Sequence, residues 1–174
     1  YADILRDAPL DVIDGVNWAI DQGVADPERI GIMGGSFGGY VTGACLTLQP
    51  DLFHCGISFA GIFDWVKIVD SDLKEMPLWV TTSYRPLKNN PQLARSLSPI
   101  HHVDKIKAPL LIAHGRSDSR VSVYQSKKMI KALQKAGKPH TKYLKSWVFH
   151  GFASRETAIA FYTKAGEFLN HHQI

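Results

Sequence analysis

The chain has 174 residues, 45% hydrophobic and 21% charged, with 20 basic against 16 acidic side chains for a net charge of +4. That length suits one domain with a substantial core, and the near-average composition excludes a disordered, collagenous or coiled-coil chain. No apolar run approaches the ~20 residues of a membrane span, no signal-like segment opens the chain, and the basic residues are scattered.

Only Lys127, Lys128, Lys131 and Lys135 cluster, and their spacing reads as a solvated helix face rather than a nucleic-acid surface. Cys45 and Cys55 stand among apolar neighbours and read as buried free thiols, too few for a disulfide framework.

Asp11 to Gln22 predicts an amphipathic helix with Val12, Ile13, Val16, Ala19 and Ile20 on its buried stripe. Gly23 stops it and Asp26-Pro27 makes a turn. A short apolar strand follows from Arg29 to Gly34, then a helix from Phe37 to Leu48 that ends before Pro50. His54 to Ala60 reads as a second strand. From Phe63 to Pro99 the pattern is irregular, an insertion of short helices and loops holding Trp65, Trp79, Tyr84 and four prolines. Pro109 to His114 is a third strand, Ser122 to Ala136 a helix, His140 to Phe149 a fourth strand, and Ser154 to Leu169 a closing helix capped by Ser154. Continuous apolar strands alternating with helices predict an α/β fold, a mostly parallel sheet covered on both faces, in one domain spanning residues 1–174.

Gly34-Gly35-Ser36-Phe37-Gly38-Gly39 lies where a strand ends and a helix begins, the G-x-S-x-G pattern of a nucleophile elbow. A serine on so sharp a turn is forced towards strained backbone angles, and glycines two residues before and after let strand and helix pass. The same turn aims the backbone N–H of Phe37 where it can donate to an oxyanion. A phosphate-binding loop would need Lys-Ser/Thr after the last glycine, where Tyr40-Val41 stands.

A nucleophilic serine needs a base, and the base an orienting acid. Asp118 follows the third strand and His150 the fourth, in the order Ser…Asp…His of α/β-hydrolases. Among the other histidines, His140 sits at the wrong end of its strand and His114 braces the loop that carries Asp118. His54, the pair His101-His102 and the pair His171-His172 lack companions at metal-ligand spacing, so no metal and no cofactor is expected. Asp118 also reads as a turn residue, although Ser122 is the better cap for the next helix.

These segments resemble the prolyl oligopeptidase family of serine peptidases, most of all its dipeptidyl-peptidase and acylaminoacyl-peptidase branches. The resemblance rests on Asp26 to Ile30 with the elbow through Tyr40, on Ser98-Pro99, on Ala108 to Gly115 through Asp118 and Val121, and on His150-Gly151-Phe152. It covers about residues 10 to 170 and implies Ser36 as nucleophile, Asp118 as orienting acid, His150 as general base and Phe37 as an oxyanion donor. It also implies that Tyr40, Phe63 and Trp65 help to build the apolar pocket for the substrate residue before the scissile bond. Phe149, where the family more often has glycine or a polar residue, and Ser122, in place of a frequent proline, depart from the pattern. The expected substrate is a short peptide; a carboxylesterase with the same triad, or a non-catalytic binding module, are the other readings.

Family members carry an N-terminal β-propeller and several strands ahead of the elbow, one leading to a tyrosine that completes the oxyanion hole. This chain resembles the C-terminal two-thirds of the catalytic domain. The elbow strand is therefore expected to present an open edge, covered by earlier segments of a longer parent or by a second copy in a homo-oligomer.

Overall fold

The computed structural model describes residues 2–69, 84 and 86–174. Trp79 lies outside the described residues. Four strands form one wholly parallel sheet in the order β1 (Gly31–Gly35), β2 (Cys55–Phe59), β3 (Leu110–Gly115) and β4 (His140–Lys145). The register runs Gly31 to Cys55, Gly56 to Leu110 and Leu110 to His140. Helices α1 (Ala2–Asp21), α2 (Phe37–Leu48), α3 (one turn, Trp65–Lys67), α4 (Pro91–Ser96), α5 (Tyr124–Lys135) and α6 (Arg155–His171) accompany the sheet, with 3₁₀ turns at Pro27–Arg29 and Pro99–Lys105. Among the described residues, no helix is long and apolar enough to cross a membrane.

β3 is buried along its whole length, and its side chains alternate between two cores. Leu110 and Ile112 join the larger core with α1, α2 and α5, through Ile13, Leu46 and Met129. Leu111 and Ala113 join the smaller one with Ile57 and, from α6, Phe161, Ala165 and Phe168. Both sheet faces are therefore covered, as the continuous apolar strands require. Helix α2 is buried from Gly39 to Thr47 and accommodates this with small and apolar residues. Its buried hydroxyls return to helix carbonyls, Thr42 Oγ1 donating to Gly38 O at 3.0 Å and Thr47 Oγ1 to Ala44 O at 2.8 Å.

Helix α1 corrects the expected start at Asp11. It begins nine residues earlier and runs through Pro9. Proline lacks the N–H that would bond the carbonyl four residues back, that of Leu5. Here Tyr40 Oη donates to Leu5 O at 2.5 Å, so the freed acceptor is satisfied from α2. With the longer helix the buried stripe also moves: Leu5, Pro9 and Ile13 face inward, whereas Val12 faces solvent. β4 stops at Lys145, short of the expected Phe149, because the chain turns at Trp147, which has a positive φ of 61°. β1 starts at Gly31 rather than Arg29, since Asp26 caps a 3₁₀ turn by accepting from Glu28 N. The expected cap of α6 is as read: Ser154 Oγ accepts from Thr157 N at 3.2 Å.

Candidate active site

Ser36 directly follows β1, Asp118 lies beyond β3 and His150 beyond β4, so all three stand at the C-terminal end of the sheet. Ser36 adopts φ 55° and ψ −118°, a conformation that side-chain-bearing residues avoid at a cost of ~1–3 kcal/mol. The surroundings enforce it. Ser36 N donates to Phe59 O across to β2 at 2.9 Å, and Ser36 O accepts from Gly39 N and Tyr40 N at 3.0 and 3.2 Å. Ser58 Oγ ties the start of α2 to β2 by donating to Gly39 O at 3.0 Å.

A Cβ on Gly34 would lie 2.2 Å from Gly38 O, so β1 and α2 meet backbone to backbone. Gly38 itself has open space around the corresponding position, which corrects the expectation that both glycines are needed: the steric demand falls on Gly34. The first amides of a helix lack intrahelical acceptors, and Phe37 N–H donates to nothing among the described residues.

The Asp118 side chain is fully buried and its two oxygens have separate tasks. Oδ1 accepts from Arg120 N and Val121 N, both at 2.9 Å, and closes a turn. Oδ2 accepts from His150 Nδ1 at 2.8 Å and lies 3.2 Å from His114 Nε2. Burial pushes this carboxyl up, but hydrogen bonds from His114, Val121, His150 and Arg120 outweigh it and hold the group at about 2. The turn role and the His150 partnership thus coexist.

His150 reaches Asp118 because the segment after β4 crosses back over the end of β3. Arg116 N donates to Lys145 O at 2.8 Å and Ser117 N to Val148 O at 3.0 Å. The crossing is tight enough that a Cβ on Gly115 would sit 2.2 Å from Val148 O. Val148 is buried while its neighbours Trp147 and Phe149 are exposed, which anchors the loop through its middle residue. His150 keeps 18% of its side chain exposed. Its Nδ1–H is committed to Asp118, which leaves Nε2 as an acceptor; no hydrogen bond joins it to Ser36 among the described residues.

Tyr40, Phe63 and Trp65 are brought together, but in the core: they are 1%, 0% and 0% exposed. Tyr40 and Trp65 meet edge to face with centroids 5.2 Å apart, and the Tyr40 hydroxyl is taken by Leu5. Among the described residues they line no open pocket. Sequence reasoning missed Gln125, which clamps this segment. Its Oε1 accepts from Phe63 N and Asp64 N at 2.9 and 2.8 Å, and its Nε2 donates to Asp64 O at 3.1 Å. A signal was available, since Gln125 shares the four-residue spacing of the buried Met129 and Leu133. Asp64 pairs with Lys128 at 2.5 Å, and Trp65 N donates to Ser98 Oγ at 2.9 Å. No group of three or more His, Cys, Asp or Glu side chains is placed to hold a metal among the described residues.

The chain is similar to peptidases over nearly its whole length. It is 35% identical over 168 residues to dipeptidyl aminopeptidase BIII of Pseudoxanthomonas mexicana, covering 91% of this chain and 24% of that protein. Its fold superposes on the acylaminoacyl peptidase of Pyrococcus horikoshii with a TM-score of 0.80 and 33% identity, covering 92% of this chain and 27% of the other. An acylaminoacyl peptidase solved in complex with Z-Gly-Gly-Phe-chloromethyl ketone gives 0.76 and 30%, covering 92% and 26%. The chain thus spans about a quarter of the length of the relatives it matches. Residues 7–173 match the profile of the prolyl oligopeptidase family, to which this chain belongs.

Proposed function

We propose that the protein is a serine peptidase that cleaves short peptides through an acyl-Ser36 intermediate. The observation that carries this reading is the buried Asp118 carboxylate held by four N–H donors, one of them His150 Nδ1 at 2.8 Å, at the sheet end that bears the strained Ser36. His150 Nε2 takes the proton of Ser36 Oγ as the oxygen attacks the scissile carbonyl. The oxyanion that forms accepts from Phe37 N–H at the start of α2. His150 then passes the proton to the leaving amine. Water, deprotonated by the same nitrogen, releases the acyl group and restores Ser36. Asp118 stays ionised throughout, fixing the His150 tautomer and stabilising the imidazolium. No cofactor enters this sequence of steps. The names of the relatives, dipeptidyl and acylaminoacyl peptidases, support short peptides blocked or free at the N-terminus as substrates.

The test is fluorophosphonate labelling of the full-length protein followed by intact mass measurement. One adduct is expected on the wild type and none on Ser36→Ala, with peptide turnover falling by about 10⁴–10⁶ in that variant. Equal labelling of both would sink the assignment. Comparing dipeptidyl and acylaminoacyl anilides with a short-chain nitrophenyl ester separates peptidase from esterase; the anilides are expected to be the better substrates. The open edge of β1 is, in the same reading, covered in the working protein by further backbone of the same polypeptide or by a second copy.

A further inference from the structure

His114 occupies the last position but one in β3, and its side chain is fully buried. Both ring nitrogens are engaged. Nδ1 is 2.7 Å from Ser126 Oγ, and Nε2 is 2.9 Å from Val121 O and 3.2 Å from Asp118 Oδ2. A backbone carbonyl only accepts, so Nε2 carries a hydrogen, which it shares between Val121 O and the carboxylate. Ser126 Oγ is also buried and has no other partner among the described residues. Its proton therefore goes to Nδ1, which makes that nitrogen the acceptor and the ring neutral.

We infer that His114, oriented by Ser126, is a positioning residue for catalysis: its Nε2–H binds the same Asp118 oxygen that receives His150 Nδ1–H, and so sets both the rotation of that carboxylate and its pull on the base. The inference rests on the triad reading given above. Without the His114 donor, Oδ2 would have His150 as its one side-chain partner, and more of its negative charge would act on the base. Asp118 would then stabilise the His150 imidazolium more strongly, and the carboxylate would be free to rotate away from the ring. The titratable side chains that touch the carboxylate are His114 and His150 alone among the described residues; Lys128 of α5 is held by Asp64. Hydrogen bonds to the ionised form lower a carboxyl, and the contact from His114 is among those that do so for Asp118.

The rate of Ser36 modification by a fluorophosphonate, followed against pH in the full-length protein, reads the titration of His150 without needing a substrate. In His114→Phe the midpoint of the acidic limb is expected to rise by about half a pH unit or more and the plateau rate to fall by about tenfold. His114→Gln returns a donor to the Nε2 position and should restore the wild-type midpoint. Ser126→Ala should shift the midpoint in the same direction by less. Rates and midpoint unchanged in His114→Phe would overturn the inference. So would equal losses of rate in His114→Phe and His114→Gln with no shift, which would make the residue a packing element only. If His114→Phe fails to fold, an unshifted midpoint in Ser126→Ala overturns it. A wild type that does not label at Ser36 overturns the triad reading itself, a different result from a labelled wild type whose variants do not shift.

Discussion

At the scale of single residues, the contact between Tyr40 and Leu5 shows how one hydroxyl permits a proline inside a helix. Tyr40→Phe leaves the Leu5 carbonyl, buried and already deprived of its helical donor by Pro9, with no replacement bond. A loss of about 1–2 kcal/mol in urea unfolding is expected. Pro9→Ala supplies the missing N–H, so the double variant should lose less than Tyr40→Phe alone; additive losses would show that the two residues are not coupled. Asp118 gives a prediction of pH dependence. Its folded value near 2 lies below the ordinary 3.8, so its contribution to stability is fully present above pH 4 and is lost as pH falls towards 2. Asp118→Asn should flatten that part of the stability profile, which acid titration followed by near-UV circular dichroism measures.

Elements succeed or fail here by how closely their backbones approach. Gly34→Ala places a methyl 2.2 Å from Gly38 O, against backbone with no way to yield, and should abolish Ser36 labelling. Gly38→Ala adds its methyl to open space in a helix and should leave thermal stability equal or slightly raised. A symmetric loss in the two variants would contradict the account of the elbow. Much of this level was legible in the sequence. The bounds of α2, the apolar run of β3 and the Ser154 cap follow from local pattern, and the placement of Ser36, Asp118 and His150 beyond the ends of β1, β3 and β4 follows from the strand pattern. What escaped depended on partners distant in sequence. The turns of α1 ahead of Asp11 contain Pro9, which a helix accommodates here because Tyr40, 31 positions later, satisfies the carbonyl that the proline orphans. Tyr40, Phe63 and Trp65 are aromatic residues that follow Ser36 in the sequence, and only packing reveals that they face inward. Gln125 is one polar residue on a helix face, and the amides that donate to its Oε1 lie 61 and 62 residues away.

For the molecule as a whole, the strand that leads to Ser36 is, with β4, one of the two edges of the sheet. β1 pairs with β2 on one side, and Gly31 and Met33 are exposed, whereas every residue of β3 is buried. An open edge with an apolar side chain beside it invites pairing. Light scattering of the 174-residue chain is expected to give a mass above 19.4 kDa at micromolar concentration, and Met33→Lys should lower it. A mass of 19.4 kDa at every concentration would show that the edge is stable uncovered.

The sheet order also has a temporal meaning. Since β1, β2, β3 and β4 lie side by side in the order in which they are synthesised, each new strand can dock on the one before it as it leaves the ribosome. Within this segment Ser36 is therefore placed first, Asp118 second, and His150, which must fold back across a strand already laid down, last of the three. The contact between Asp118 and His150 can therefore form only after all four strands are laid down, well after the turn that carries Ser36 has been made.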